Sequence, residues 1–136
     1  WTGLTRKASS ILEQQSRNTA SKMQQLEAMR TQAEQVSRLI ESGDFSAIGE
    51  LLGNTWGLKR TLADGISNPE IDELYDQLMG LGCTGGKLLG AGGGGFILVQ
   101  TPPNIQQKIA TNLANKVIPL NPDLHGSTLI LNDRGG

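Results

Sequence analysis

The sequence predicts an α+β domain in which helices pack on a mainly antiparallel sheet. Three observations carry that expectation. Apolar residues recur at three- and four-residue steps over several long stretches. Two β-rich runs flank a polyglycine bend, and the elements follow the order strand end, helices, hairpin, helix, strand.

Trp1-Thr2-Gly3 reads as the end of a strand, and a chain opening on such a piece without methionine is expected to belong to something larger. A helical pattern then runs from about Ala8 to Glu41. Ile11 and Leu12 open its apolar stripe, and Met23, Leu26, Met29, Ala33, Val36, Leu39 and Ile40 continue it. Because Glu13 through Ser21 is almost wholly polar, one long helix with a solvated middle competes with two shorter ones. A coiled coil is disfavoured, since the clean stripe is too short for one.

Gly43 is placed as the residue that ends this helix and Asp44 as the cap of the next. The second helix is expected to bury Phe45, Ile48, Leu51, Leu52, Trp56 and Leu62. Gly49, Gly53 and Gly57 lie four apart on one side of it, a bare stripe that permits close approach of another helix. Ser67-Asn68-Pro69-Glu70 is a helix start, with Asn68 as cap and Pro69 at the first helical position. Ile71, Leu74, Tyr75, Leu78 and Met79 form the buried face of that helix, and Gly80 and Gly82 stop it. Asp72, Glu73 and Asp76 are read as its wet face.

The hairpin follows, spanning Gly85-Gly86-Lys87-Leu88-Leu89-Gly90-Ala91-Gly92-Gly93-Gly94-Gly95-Phe96-Ile97-Leu98-Val99. A glycine in an ordered element costs roughly 0.5–1 kcal/mol relative to alanine, so a bend this rich in glycine requires either positive φ angles or another body lying against bare backbone. Gly90, Gly92 and Gly95 satisfy G-x-G-x-x-G, but a dinucleotide site needs a helix after the glycines, and Phe96 to Val99 is strand-like. The Walker pattern fails as well, with Leu88 where Ser or Thr should follow the lysine and Leu81 where its first glycine should stand. What remains is a strand, glycine loop, strand unit whose N–H groups are able to form an anion-holding nest. A merely tight hairpin would need only a two-residue turn.

Thr101-Pro102-Pro103 opens another helix, with Ile105, Ile109, Leu113 and Val117 on its apolar face. Ile118-Pro119-Leu120 is read as extended, Asn121-Pro122-Asp123 as a turn and Ser127 to Leu131 as the last strand. His125, the only histidine, is read as an idle loop residue. Asn132 to Gly136 is read as a frayed tail. This order comes close to the split βαβ arrangement of a ferredoxin-like αβ plait.

The 136 residues suit one domain, 1–136, with a real core. Twelve basic and 13 acidic side chains leave a net charge of −1 without long runs of either sign, which argues against a nucleic-acid or membrane-surface partner. No stretch has the length of a membrane span or the layout of a signal peptide. The single Cys83 and single His are too few for a metal site, and a lone cysteine suits a reducing cytoplasm.

The motif from Gly85 to Phe96 resembles the third signature motif of the GHMP kinases, small-molecule kinases named for galactokinase, homoserine kinase, mevalonate kinase and phosphomevalonate kinase. Thr2-Gly3-Leu4-Thr5-Arg6-Lys7-Ala8-Ser9 and Ile66-Ser67-Asn68-Pro69-Glu70-Ile71-Asp72 resemble the branch acting on D-glycero-D-manno-heptose 7-phosphate, with fucokinase-like proteins nearby. Cys83 departs from the alanine expected there. The resemblance implies the C-terminal domain of such a kinase, using ATP and Mg2+, with the ATP loop and catalytic residues in an N-terminal kinase domain that these residues do not include. The alternative is a non-catalytic ligand-binding or interaction module with the same plait.

The resemblance also implies site roles. Gly90, Ala91, Gly92, Gly93 and Gly94 are expected to support the nucleotide-phosphate loop. Arg6 is expected either to hold the sugar's phosphate, which suits a guanidinium fork, or to be a plain surface arginine. Lys87 either reaches phosphate or edges the sheet. Gly92→Val is expected to cripple the full-length kinase while leaving the domain folded.

Overall fold

The structure, a computed structural model, describes residues 1–2, 8–113 and 116–120. It is α+β, with helices α1 (Ala8–Asn18), α2 (Met23–Ser42), α3 (Ile48–Arg60), α4 (Pro69–Leu81) and α5 (Pro103–Asn112) and strands β1 (Gly85–Leu88) and β2 (Ile97–Gln100). The strands pair antiparallel with Gly85 opposite Gln100 and Leu88 opposite Ile97, so the expected hairpin is present. Of the expected outer strands, Trp1 and Thr2 adopt no strand conformation, while Gly3 and Ser127 to Leu131 lie outside the described residues. So do Arg6, His125, the turn at Asn121 and the tail.

The long N-terminal pattern resolves into two helices joined by a 3-10 turn at Ala20–Lys22. Short polar side chains there bond back to the main chain, Thr19 Oγ1 to the Gln15 carbonyl at 3.2 Å and Ser21 Oγ to the Asn18 carbonyl at 2.9 Å. Such bonds compete with a continuous helix ladder. The α2 stripe is only half used: Leu26 and Met29 pack on the core, whereas Met23, Ala33 and Ile40 are exposed. At about 1.5 Å per residue, α2 outruns the shorter α3 against which it lies.

Gly43 ends α2 as expected, at φ 72°, with its N–H donating to the Ile40 carbonyl at 3.1 Å and the next N–H, of Asp44, to the Leu39 carbonyl at 2.9 Å. Asp44 does not cap α3. Its Oδ1 accepts from Ser46 N at 2.9 Å and Ser46 Oγ at 2.6 Å, a local turn that delays the helix to Ile48. Phe45 therefore precedes α3 and is 51% exposed, contrary to the expected burial. Asn68 accepts from Ile71 N at 3.0 Å and caps α4, which ends on left-handed Gly82. Gly80 is still helical. Val117 lies beyond α5 and is exposed.

Two apolar clusters hold the fold. Ile11, Trp56, Leu62, Ala63, Ile66, Ile71 and Leu88 form one, and Leu78, Cys83 and Ile109 form the other; Ile97 touches both. The glycine stripe of α3 meets β1 rather than another helix. Gly49 and Gly53 face Gly85 and Gly86, while Gly57 has nothing within 4 Å of where its Cβ would be. Asp72 is a working part of the fold, accepting from Arg60 at 3.1 Å and Ser67 Oγ at 2.6 Å, whereas Glu73 and Asp76 are exposed as expected.

Candidate functional site: the glycine loop

The bend from Gly90 to Gly95 is closed at its base by Leu89 N–H, which donates to the Phe96 carbonyl at 2.8 Å, and is held by three further anchors. At its entry, Lys59 Nζ on α3 donates to the Leu88 carbonyl at 3.3 Å and to the Gly90 carbonyl. At its middle, Gly93 N–H donates to the Ile66 carbonyl at 2.9 Å. At its exit, Thr2 N–H donates to the Gly95 carbonyl at 2.8 Å and Gly95 N–H donates to Thr2 Oγ1 at 3.0 Å.

Both reasons for a glycine-rich bend apply, and Gly92 shows them together. Its φ of 123° is unfavourable for L side chains, and a Cβ there would lie 2.7 Å from Ile66 Cα. Ile66 is fully buried. Valine at Gly92 would therefore press on the core as well as the loop, which corrects the expectation that such a variant leaves the domain undisturbed.

The anchors also decide which way the loop's donors face. Among the described residues the amides of Gly90, Ala91, Gly92 and Gly94 have no acceptor. In a trans peptide the C=O and the following N–H point in opposite directions. Because the Gly90 carbonyl turns inward to Lys59, the Ala91 N–H turns outward. Beside Gly90 the space is open, and Trp1, Leu89 and Phe96 form a half-exposed apolar lip, with the Trp1 and Phe96 rings 5.1 Å apart.

Lys59 was not singled out in the sequence, yet it is 8% exposed in an otherwise apolar setting. Its place three residues after Trp56 on the inner face of α3 is the signal that would have found it. Burial first, and then the positive charge of Lys87, hold its ammonium below the ordinary lysine pKa. Lys87 stands on β1 opposite Leu98, half-buried, so two amines flank the loop's entry. Arg6 lies outside the described residues, so only Lys87 of the expected substrate pair is placed near the loop. Among the described residues, no three His, Cys, Asp or Glu side chains cluster to hold a metal, and no helix is long and apolar enough to cross a membrane.

The family model described as "GHMP kinases C terminal" matches residues 26–118, which include the loop and helices α3, α4 and α5. The chain belongs to the GHMP kinase C-terminal family. Among relatives of this GHMP domain, a D-glycero-alpha-D-manno-heptose 7-phosphate kinase of Campylobacter jejuni is 29% identical over 76% of this chain and 31% of its own length. An L-fucokinase/L-fucose-1-P guanylyltransferase of Bacteroides fragilis is 29% identical over 99% of this chain and 14% of its own length. A mevalonate kinase of Pyrococcus abyssi is 37% identical over 56% of this chain and 22% of its own length. The GHMP domain thus spans under a third of each of these relatives.

Proposed function

We propose that this chain is the C-terminal domain of an ATP-dependent sugar-phosphate kinase and that its glycine loop supports the nucleotide's phosphates. The observation that carries this is the set of loop amides at Gly90, Ala91, Gly92 and Gly94 that have no acceptor among the described residues, set beside the Lys59 ammonium. Successive backbone N–H groups of this kind suit anionic oxygen. Gly93 contributes as the loop's internal tie rather than as a donor to ligand.

The reaction is transfer of the γ-phosphoryl group of ATP to the anomeric hydroxyl of D-glycero-D-manno-heptose 7-phosphate, the substrate class named for the Campylobacter relative. Phosphoryl transfer depends mostly on positioning and charge stabilisation, which a rigid rim of N–H groups supplies. Catalytic residues and the main nucleotide loop belong to a preceding domain of the same cytoplasmic protein. In this reading the Mg2+ that accompanies ATP is bound mainly by the preceding domain. Arg6 holds the sugar's phosphate by its guanidinium fork, and Lys87 reaches toward phosphate from β1.

The test is to titrate ATP and heptose 7-phosphate into this chain alone and into the chain joined to its upstream sequence. Turnover confined to the longer protein supports the kinase. Sugar-phosphate binding by the chain alone, with no ATP turnover by the longer protein, would favour the non-catalytic module.

A further inference from the structure

We propose that Lys59 is the positioning residue of the glycine loop: from α3 its ammonium grips the Leu88 and Gly90 carbonyls and so turns the Ala91 N–H toward the phosphate site. This rests on the kinase function proposed above for the direction in which that amide is used, but the grip itself is a property of the chain.

A loop made of glycine has no side chains with which to hold its own shape, and its conformational entropy is the largest available. Its geometry therefore comes from outside anchors. The middle anchor at Ile66 and the exit anchor at Thr2 fix Gly93 and Gly95. At the entry Leu89 N–H donates to the Phe96 carbonyl at 2.8 Å, and among the described residues Lys59 is the side chain that acts there, its two carbonyl acceptors bracketing Leu89. The base of Lys59 is itself closely packed, since Trp56 one turn earlier is 1% exposed and Gly49 lies against Gly85.

Charge gives the second argument. The ion pairs among the described residues are Arg30 with Glu34 and Arg60 with Asp72, so Lys59 is buried without a carboxylate. Taking an ammonium out of water is expensive, and carbonyl dipoles offset only part of that expense. Methionine would fill the same tube of space without the penalty. A directional donor is what lysine adds, and the donor points at the loop.

The experiment follows amide hydrogen exchange in the 136-residue chain, as wild type, Lys59→Met and Lys59→Ala, the last with and without ethylammonium. In Lys59→Met the Leu89 and Gly93 amides should exchange roughly tenfold faster, while Thr84 at the far end of the hairpin stays within about twofold of wild type. Ethylammonium should restore slow exchange in Lys59→Ala, a rescue that a lysine serving only to fill space would not show. A folded Lys59→Met chain with wild-type exchange at Leu89 and Gly93 overturns the proposal, as does a loosened Lys59→Ala loop that ethylammonium leaves unchanged. Should the variants not fold, through-hydrogen-bond couplings from the Lys59 nitrogen to the Leu88 and Gly90 carbonyl carbons in the wild-type chain decide it, and their absence overturns it. Lack of ATP turnover by the longer wild-type protein would remove the kinase function and leave the exchange result standing.

Discussion

Gly49 of α3 and Gly85 of β1 meet backbone to backbone: a Cβ on Gly85 would overlap the Gly49 carbonyl oxygen. The contact is fastened by Gln100, whose Oε1 accepts from Gly49 N at 2.5 Å while its Nε2 donates to the Phe45 carbonyl at 2.5 Å. It sets the depth at which α3 sits on the hairpin and hence where Lys59 arrives. Gly85→Ala is predicted to destabilise the chain by about 2–3 kcal/mol through overpacking. Gly57→Ala, on the same helix with open space around it, should stabilise by up to ~1 kcal/mol. Urea unfolding of the two variants checks the contrast.

The α4 cap is a second point of leverage. Asn68 Oδ1 satisfies the Ile71 amide, and Ile71 is fully buried. Asn68→Ala should cost about 1 kcal/mol, and Asn68→Ser should recover most of it, measured by the same unfolding curves.

Alkaline stability isolates Cys83. Burial raises its thiol above the ordinary 9.0, with Thr101 opposing in part. The folded chain then holds this proton more tightly than the unfolded chain, so stability falls as pH rises from about 9 through the folded value. Lys59 acts in the opposite sense, because its lowered pKa means that the unfolded chain binds the proton more tightly. Its contribution to stability rises with pH up to the ordinary 10.5. Unfolding free energy against pH should therefore decline less steeply above pH 9 in Cys83→Ala than in wild type, and more steeply in Lys59→Met.

Loop substitutions separate function from folding. Gly90 has φ 80° but open space for a Cβ, so Gly90→Ala should cost only about 1–2 kcal/mol of local strain. Gly92→Val adds the collision with Ile66. Both should slow ATP turnover in the longer protein, whereas only Gly92→Val should lower the melting temperature markedly. Calorimetry and steady-state kinetics on the pair test this.

Local chemistry was legible in the sequence at most places where a single turn decides it, the exception being Asp44, which forms a turn instead of a cap. The Asn68-Pro69 helix start, the Gly43 and Gly82 terminators and the glycine hairpin follow from capping and φ preferences and appear as expected. Tertiary facts were not legible. That Gly49 and Gly53 serve a strand rather than a helix depends on the partner, and that Phe45 is exposed depends on a turn at Asp44 that displaces the start of α3. The loop itself was visible as a composition anomaly, while its grip by Lys59 was hidden because a lysine in a helix ordinarily reads as surface.

The most direct measurement is of backbone amide shifts in the chain joined to its upstream sequence as ATP is added. A phosphate-supporting loop predicts saturable shifts at Gly90, Ala91, Gly92 and Gly94, the amides that no described residue occupies, with smaller changes at Gly93 and Gly95, which are already bonded. ATP turnover with those four amides unmoved would contradict it.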